Sequence, residues 1–465
     1  MKYIYSLIIG LTVMCWQVDA RKAKGRVTCD NQGVSSVIVT DGNSFTTTAA
    51  NGEFSLRLDK EADFVYIISP SGYSAEWSNG SPAFYIPTEG NKSFNFELSK
   101  TGNDSDTYNI IAVGDPQPRS INNFEEFAGR PLDDLSQTVS KLEGRTVGIA
   151  LGDISFDRYQ LNLKWKQKIT RAGIPFYTAV GNHDHNKSEI GDTLSIQTYR
   201  KDFGPENHAF FIGGDIVIVL DNIIYKTAGK YSLGYTDAIL SWVSGLMKYV
   251  PETSDIYIAQ HCPLNGRHYK KMIENHNRLL NILKGHKVTF LSGHNHTNGV
   301  FEYAPGVTEH NIAAICGTWW EAYHCTDGTP RGYKVFTKKD GELSWYYKAV
   351  DQEKDFQYEV FMPGTTRLNP DCIVVNVWDY DPQWSIEWME DGKDMGAMKQ
   401  VEEYSPLHEK ELADRYKGNE KGPSKYKKTR ISKHYFAARP SESAKEITIR
   451  IRTRFGKVMT EKITF

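Results

Sequence analysis

Cysteine is scarce, with six in 465 residues, of which Cys29, Cys262, Cys316, Cys325 and Cys372 lie beyond the first twenty positions. So few cysteines exclude a disulfide-stapled scaffold, and an odd number leaves at least one thiol unpaired even in an oxidising compartment. Cys316 and Cys325 are close enough in sequence to close a small loop, but buried apolar cysteines account for them as well, and no disulfide is expected. Charge of one sign is also lacking: 55 basic and 57 acidic side chains leave a formal net charge of -2. Nothing in that balance argues for nucleic acid or an anionic membrane surface as the main partner, so any binding of phosphate has to be local. There is no glycine-rich nucleotide-binding motif. The apolar run at 3–16 falls short of the ~20 residues a membrane span needs. It sits behind Lys2 and ahead of Val18 and Ala20, the layout of a secretory signal cut after Ala20. The expectation is export to a periplasmic or extracellular space. Lipoprotein anchoring through Cys15 is a lesser alternative, because the bulky Met14 stands where a small residue is wanted.

What the chain does have is apolar residues for a large core: 40% hydrophobic, 12% aromatic and 24% charged describe folded protein, and the length asks for two or three domains. After the leader at 1–20, residues 21–103 read as short strands and turns, with Asp41-Gly42, Asn51-Gly52 and Ser71-Gly72 as punctuation, the texture of a small β-sandwich. No acidic or histidine cluster falls in it, so it is expected to be non-catalytic. Residues 104–349 alternate apolar strand runs with segments of helical period, which is α/β texture. After Thr236, for example, Ile239, Leu240, Val243, Leu246, Met247 and Val250 share one helical face. Residues 350–465 return to strands, ending in EITIRIRT and KVMTEKITF around Phe455-Gly456. The lysine-rich stretch KGNEKGPSKYKKTR at 417–430 reads as a solvated loop in preference to a phosphate-attracting patch.

Five strand-like runs of the middle segment end in groups that bind metal. YNIIAVGD ends at Asp115, with Gln117 beyond it, and TVGIALGD ends at Asp153. PFYTAVGNHDH ends at Asn182, His183, Asp184 and His185. DIYIAQH ends at His261, and VTFLSGHNH at His294 and His296. In open α/β sheets ligands gather at the carboxyl ends of strands, so groups far apart in sequence are expected to converge. Turn chemistry explains Asn or Asp after a strand, but not three histidines. Gly114, Gly152, Gly181 and Gly293 stand before the polar groups, where a backbone without Cβ can turn beneath a ligand.

The order Asp-x-Gln, Gly-Asp, Gly-Asn-His-Asp, His, Gly-His-Asn-His resembles the calcineurin-like metallophosphoesterase family, in its bacterial three-domain form with N- and C-terminal β domains. The resemblance implies a multidomain chain: a central α/β four-layer sandwich flanked by two all-β, sandwich-like domains. It implies that Asp115, Gln117, Asp153 and His296 hold one divalent ion and that Asp153, Asn182, His261 and His294 hold a second, with Asp153 shared. A metal-bridging hydroxide would attack a phosphomonoester or phosphodiester in line, and His183 would protonate the leaving group. Oxygen and imidazole donors suit Mn first, with Fe, Zn or Mg as alternatives.

Two positions depart from the family pattern. Gln117 replaces the usual histidine and offers only an amide oxygen, so the first site is expected to bind more loosely. Phe156 stands where an Asp or Asn usually orients the acid histidine, a task left to Asp157 or Asp184. Arg119, Arg267 and His268 read as solvated charges, His185 as a surface residue, and Trp319 and Trp320 as buried at a domain seam. The expected partner is a small phosphorylated substrate or a phosphorylated envelope component, with no nucleic acid; the oligomeric state is not readable. The rival from another class is a weak or inactive glycan- or envelope-binding protein on a degenerate scaffold.

Overall fold

The computed structural model describes residues 21–77, 79–102 and 107–465. The expected leader at 1–20 and the junction expected between 103 and 104 lie outside the described residues. Among the described residues no helix is long and apolar enough to cross a membrane, and all five cysteines are free thiols.

Two sheets make the N-terminal domain. Lys22–Cys29 pairs with Gln32–Gly33, Glu53–Arg57 and Phe96–Lys100, and Tyr73–Ala75 extends that sheet. The second runs Phe45–Thr47, Ile38–Thr40, Phe64–Ile68, Tyr85–Pro87. Glu53–Arg57 shows why these segments are strands: Phe54 and Leu56 are buried while Glu53, Ser55 and Arg57 are exposed, the period of two that a half-buried sheet requires. The domain is fused to its neighbour through backbone. Phe211 N–H donates to Ser69 O at 2.9 Å, and one continuous apolar core runs through both.

The central domain has a five-stranded and a six-stranded sheet. The first has the order Phe176–Thr178, Arg145–Ala150, Thr107–Val113, Gly332–Lys339, Glu342–Ala349, with its first three strands parallel. The second has the order His208–Ile212, Asp215–Val219, Ile256–Ala259, Val288–Ser292, Val307–Asn311, Gly299–Ala304, parallel through its four middle strands. Several of these parallel strands, such as Asp215–Val219 and Ile256–Ala259, are wholly buried and rich in Val, Ile and Ala, as strands covered on both faces are. The sheets meet through side chains: Tyr108 OH donates to Asp215 Oδ2 at 2.6 Å, and Tyr177 stacks on Phe210. Helices form the outer layers. Trp165 of Asn162–Ile169 packs on Phe176, and Tyr333 OH donates to Asp134 in Arg130–Val139. The helix expected after Thr236 is Asp237–Leu246; the Thr236 hydroxyl accepts from Ile239 N–H, and Leu240, Val243 and Leu246 are buried. Met247 belongs to a following 3-10 turn, Met247–Tyr249.

The C-terminal domain is a second sandwich. One sheet runs Glu359–Phe361, Ile373–Asn376, Ser432–Ala438, Lys399–Glu403 and the other Lys393–Ala397, Ser385–Glu390, Glu446–Arg452, Val458–Thr464. Its apolar core is separate from that of the first two domains except at Trp378, which packs into theirs. One helix, Pro406–Arg415, interrupts the strands. Its start carries good signals, Ser405 as N-cap and Pro406 as first residue, and it stands where residues 350–465 were expected to hold strands alone.

Candidate metal centre

The five loops expected to converge do so. Strands Thr107–Val113, Arg145–Ala150 and Phe176–Thr178 of one sheet and Ile256–Ala259 and Val288–Ser292 of the other deliver their carboxyl-terminal loops to a single place. Five of the seven expected ligands, Asp115, Gln117, Asp153, His294 and His296, have left-handed backbone with φ between 41° and 67°. A side chain there costs on the order of 1–3 kcal/mol, and such residues persist where the surroundings over-determine them. The glycines are part of that determination. A Cβ on Gly181 would sit 2.2 Å from Asp153 N and Oδ1, and one on Gly293 would sit 2.5 Å from Asp115 Oδ2. Asp184 braces the loops from below, its carboxylate accepting from the N–H groups of Gly181, Asp153 and Ile154.

The donor atoms face one another across short distances. Asp115, Asp153 and His261 each present a ligand atom within 4.8 Å of the other two. His296 Nε2 lies 3.4 Å from Asp115 Oδ1, and His261 Nε2 lies 3.4 Å from Asp153 Oδ2 and 3.3 Å from Asn182 Oδ1. His294 Nδ1 lies 3.1 Å from His261 Nε2. The Gln117 amide nitrogen donates to Asp153 Oδ2; a half-turn of that amide presents its oxygen instead. His261 Nδ1 donates to Leu151 O at 2.7 Å, which fixes the tautomer and leaves Nε2 with a lone pair, as the backbone carbonyl behind a metal-binding histidine usually does.

The residues fit divalent ions. Asp115 Oδ1, Gln117 Oε1 and His294 Nε2 are buried without a hydrogen-bond partner, a costly state for polar atoms unless something else bonds them. The electrostatics point the same way. Burial would lower His261 and His296, yet Asp153 lifts the first to about 9 and Asp115 lifts the second to about 10. Burial and the charge of His261 push His294 well below the usual range. Burial would raise Asp153, but His261 and His183 outweigh it and hold it below the ordinary carboxylate range. Cationic charge is what this pocket demands.

His183 stands at the edge of the site, half-buried. Its Nδ1 is 2.9 Å from Asp157 Oδ1, its N–H donates to Asp153 Oδ1, and its ring stacks on Phe156 at 3.9 Å. Of the two candidates for orienting it, Asp157 is therefore the one in contact, while Asp184 is spent on backbone. Asp157 also accepts from Lys187 Nζ at 2.5 Å. Burial would raise the Asp157 carboxyl, but His183 and Lys187 hold it low.

Several expectations are corrected. His185 is fully buried, not at the surface: Nδ1 contacts Ser195 Oγ at 2.9 Å and the ring stacks on Tyr225. Trp319 lines the metal cleft and stacks on His296 at 4.5 Å, whereas Trp320 is buried and donates to Pro116 O. The lysine-rich stretch does not point wholly to solvent, since Ser424, Tyr426, Lys427 and Arg430 wall the same cleft. Arg119 and Lys427 share Glu321, and Arg119 lies over the Phe156 ring. Arg267 and His268 also line the cleft, and burial with the charges of Arg430 and Arg267 lowers His268 to about 4. Nothing in KYKKTR marks it as a cleft wall, because folding against a different domain leaves no period in the sequence.

Family models match the chain in three consecutive stretches: the N terminal of calcineurin-like phosphoesterase at 21–101, calcineurin-like phosphoesterase at 108–298, and the C terminal of calcineurin-like phosphoesterase at 309–459. The third begins within the central sheets, since Val307–Asn311, Gly332–Lys339 and Glu342–Ala349 all belong to them. Curated proteins give no match. Solved structures similar to the chain include a dimetal phosphatase from Danio rerio (15% identity, 52% of this chain and 98% of that one, TM-score 0.36). A 5'-nucleotidase from Candida albicans is similar at 12% identity over 53% of this chain and 51% of its own, TM-score 0.32. A phosphopantetheinyl hydrolase from Mycobacterium tuberculosis is similar at 10% identity over 45% of this chain and 91% of its own, TM-score 0.29.

Proposed function

Because the chain belongs to the calcineurin-like phosphoesterase family and is a phosphoester hydrolase, we propose that it acts as an exported enzyme that uses two divalent ions, manganese foremost, to cleave a small phosphomonoester or phosphodiester. The single observation that carries this reading is the set of orphaned buried atoms, Asp115 Oδ1, Gln117 Oε1 and His294 Nε2, around the shared Asp153. Asp115, Gln117, Asp153 and His296 would hold one ion, and Asp153, Asn182, His261 and His294 the other. Bound there, the ions would supply Lewis acidity for the phosphoryl oxygens and a nucleophile at neutral pH.

The chain's own residues do the rest. Asp157 holds His183 Nδ1, so Nε2 is the nitrogen that gives a proton to the departing oxygen. Phe156 and Trp319 place flat apolar faces beside His183 and His296 and keep water from those rings. Gln117 in place of a nitrogen donor favours manganese or magnesium over zinc in the first pocket. Export rests on the sequence of residues 1–20. The test is chelation followed by single-metal reconstitution, with p-nitrophenyl phosphate and its bis ester as substrates. Hydrolysis lost on chelation and restored most strongly by manganese is expected; activity indifferent to chelation would overturn the reading.

A further inference from the structure

Two guanidiniums beside the metal cleft stand without a carboxylate of their own. Arg119 and Lys427 share Glu321, and Lys187 is held by Asp157. Among the described residues Arg267 has only the Tyr426 ring, 5.7 Å away. Arg430 donates Nη1 to His268 Nδ1 at 2.8 Å, and its backbone N–H to Thr326 O. Both line the wall of the same cleft, and burial and then the charge of Arg267 lower Arg430, with Asp327 opposing. Arg267 is exposed and Arg430 half-buried, so the partly desolvated Arg430 gains most from an anion that bridges the two.

Their placement is fixed by both domains. Arg267 and His268 stand in the turn after the His261 loop, where His268 and Tyr269 are consecutive left-handed residues at φ 56°. His268 N–H donates to Asn295 Oδ1 at 2.9 Å, tying the turn to the loop that carries His294 and His296. Arg430 comes from the C-terminal domain, just before its strand Ser432–Ala438. The metal cleft has a volume of 290 Å³ and both arginines in its wall. A larger space of 840 Å³ lies along the seam between the central and C-terminal domains, and Trp378, Tyr380, Phe301, Val300 and Ile431 give it ring-bearing and apolar walls. His268, Asn295 and Arg430 belong to both spaces.

We propose that Arg267 and Arg430 grip a second phosphate of the substrate and that the seam space receives the ring-bearing body beyond it. The substrate class is then an organic ester with two phosphate groups, one at the metal centre and one at the arginines. This rests on the hydrolytic reading above. A single-phosphate substrate leaves the two guanidiniums without their anion, whereas a two-phosphate one forms charge-assisted bonds with them, each worth roughly tenfold or more in affinity.

The test measures ADP and AMP as competitors of p-nitrophenyl phosphate hydrolysis at constant free manganese, alongside calorimetric titration of each into the manganese-loaded full chain. Wild type should bind ADP at least about tenfold tighter than AMP, and Arg267→Met and Arg430→Met should each bring that ratio to within about threefold, with Arg430→Lys restoring part of it. Val300→Trp, which fills the seam, should weaken ADP about tenfold and methyl diphosphate by less than about twofold; equal weakening would overturn the placement of the body. A wild-type ratio near one, or a ratio that neither arginine variant moves, would overturn the second-phosphate site while leaving the hydrolytic reading in place. A calorimetric ratio that depends on the arginines in a protein without hydrolytic activity would uphold this site and sink the hydrolytic reading.

Discussion

At the residue scale the account turns on which atoms have partners. His183 is positioned by Asp157, and its proton matters only when the departing oxygen is a poor leaving group. His183→Ala should therefore lower kcat on an alkyl phosphate by roughly 10²–10⁴-fold and on a p-nitrophenyl ester far less; equal losses on both would remove the acid assignment. Asp157→Asn should shift the pH profile of the alkyl substrate while leaving metal content intact. Gly293→Ala drives a Cβ onto Asp115 Oδ2 and should lower metal content without an equal loss of fold, read by elemental analysis beside circular dichroism. The eight residues proposed for the site, which the structure brings together, are legible in the sequence because a donor after each strand is a local pattern. Three others are not. His185 reads as a surface residue, and it is packing on Tyr225 of the strand Ile223–Thr227 and on Ser195 that buries it; Trp319 and Arg430 reach the cleft through a left-handed turn and a domain seam, neither of which has a sequence period.

At the scale of elements, the helix Pro406–Arg415 is both the piece the strand pattern concealed and one that fastens the C-terminal domain to the central domain, at the segment carrying Thr318 and His324. Its Glu411 accepts from His324 N–H and meets His324 Nδ1 at 2.7 Å, while Glu359 faces the other ring nitrogen. Burial would lower His324, but Glu359 and Glu411 raise it from 6.5 to about 9. The raised value means that the folded state binds the proton more tightly than the unfolded one. The stabilisation is complete below pH 6.5 and disappears as pH rises through about 9. Thermal unfolding of the C-terminal domain should accordingly fall between pH 7 and pH 10, and Glu411→Gln should flatten that dependence. A variant with the same slope as wild type would show that the dependence arises elsewhere. Ser405→Ala removes the hydroxyl that accepts from His408 N–H and should cost about 1 kcal/mol, measured by denaturant unfolding.

At the scale of the whole molecule, the N-terminal and central domains share one apolar core, whereas the C-terminal domain has its own and joins them through Trp378, which packs into the shared core, the Phe455 ring against Trp345, and a set of polar contacts. The most committed of these is Lys334, fully buried between Asp379 Oδ1 at 2.6 Å and His310 Nδ1 at 2.9 Å. Asp379→Asn leaves a buried ammonium unpaired and should destabilise by about 3–5 kcal/mol, more than the double change with Lys334→Met. Three domains, their order and the α/β middle follow from sequence texture; which faces dock does not, since the seam is made of residues such as Lys334 and Asp379 that look like ordinary surface charge. The central claim is that Asp153 joins two ion sites of unequal strength, with Gln117 in the weaker. Metal content per chain after equilibration with manganese tests it most directly. Wild type should hold two ions, Gln117→Ala one, and Asp153→Asn fewer than one; a single ion in wild type, or two retained in Asp153→Asn, would contradict it.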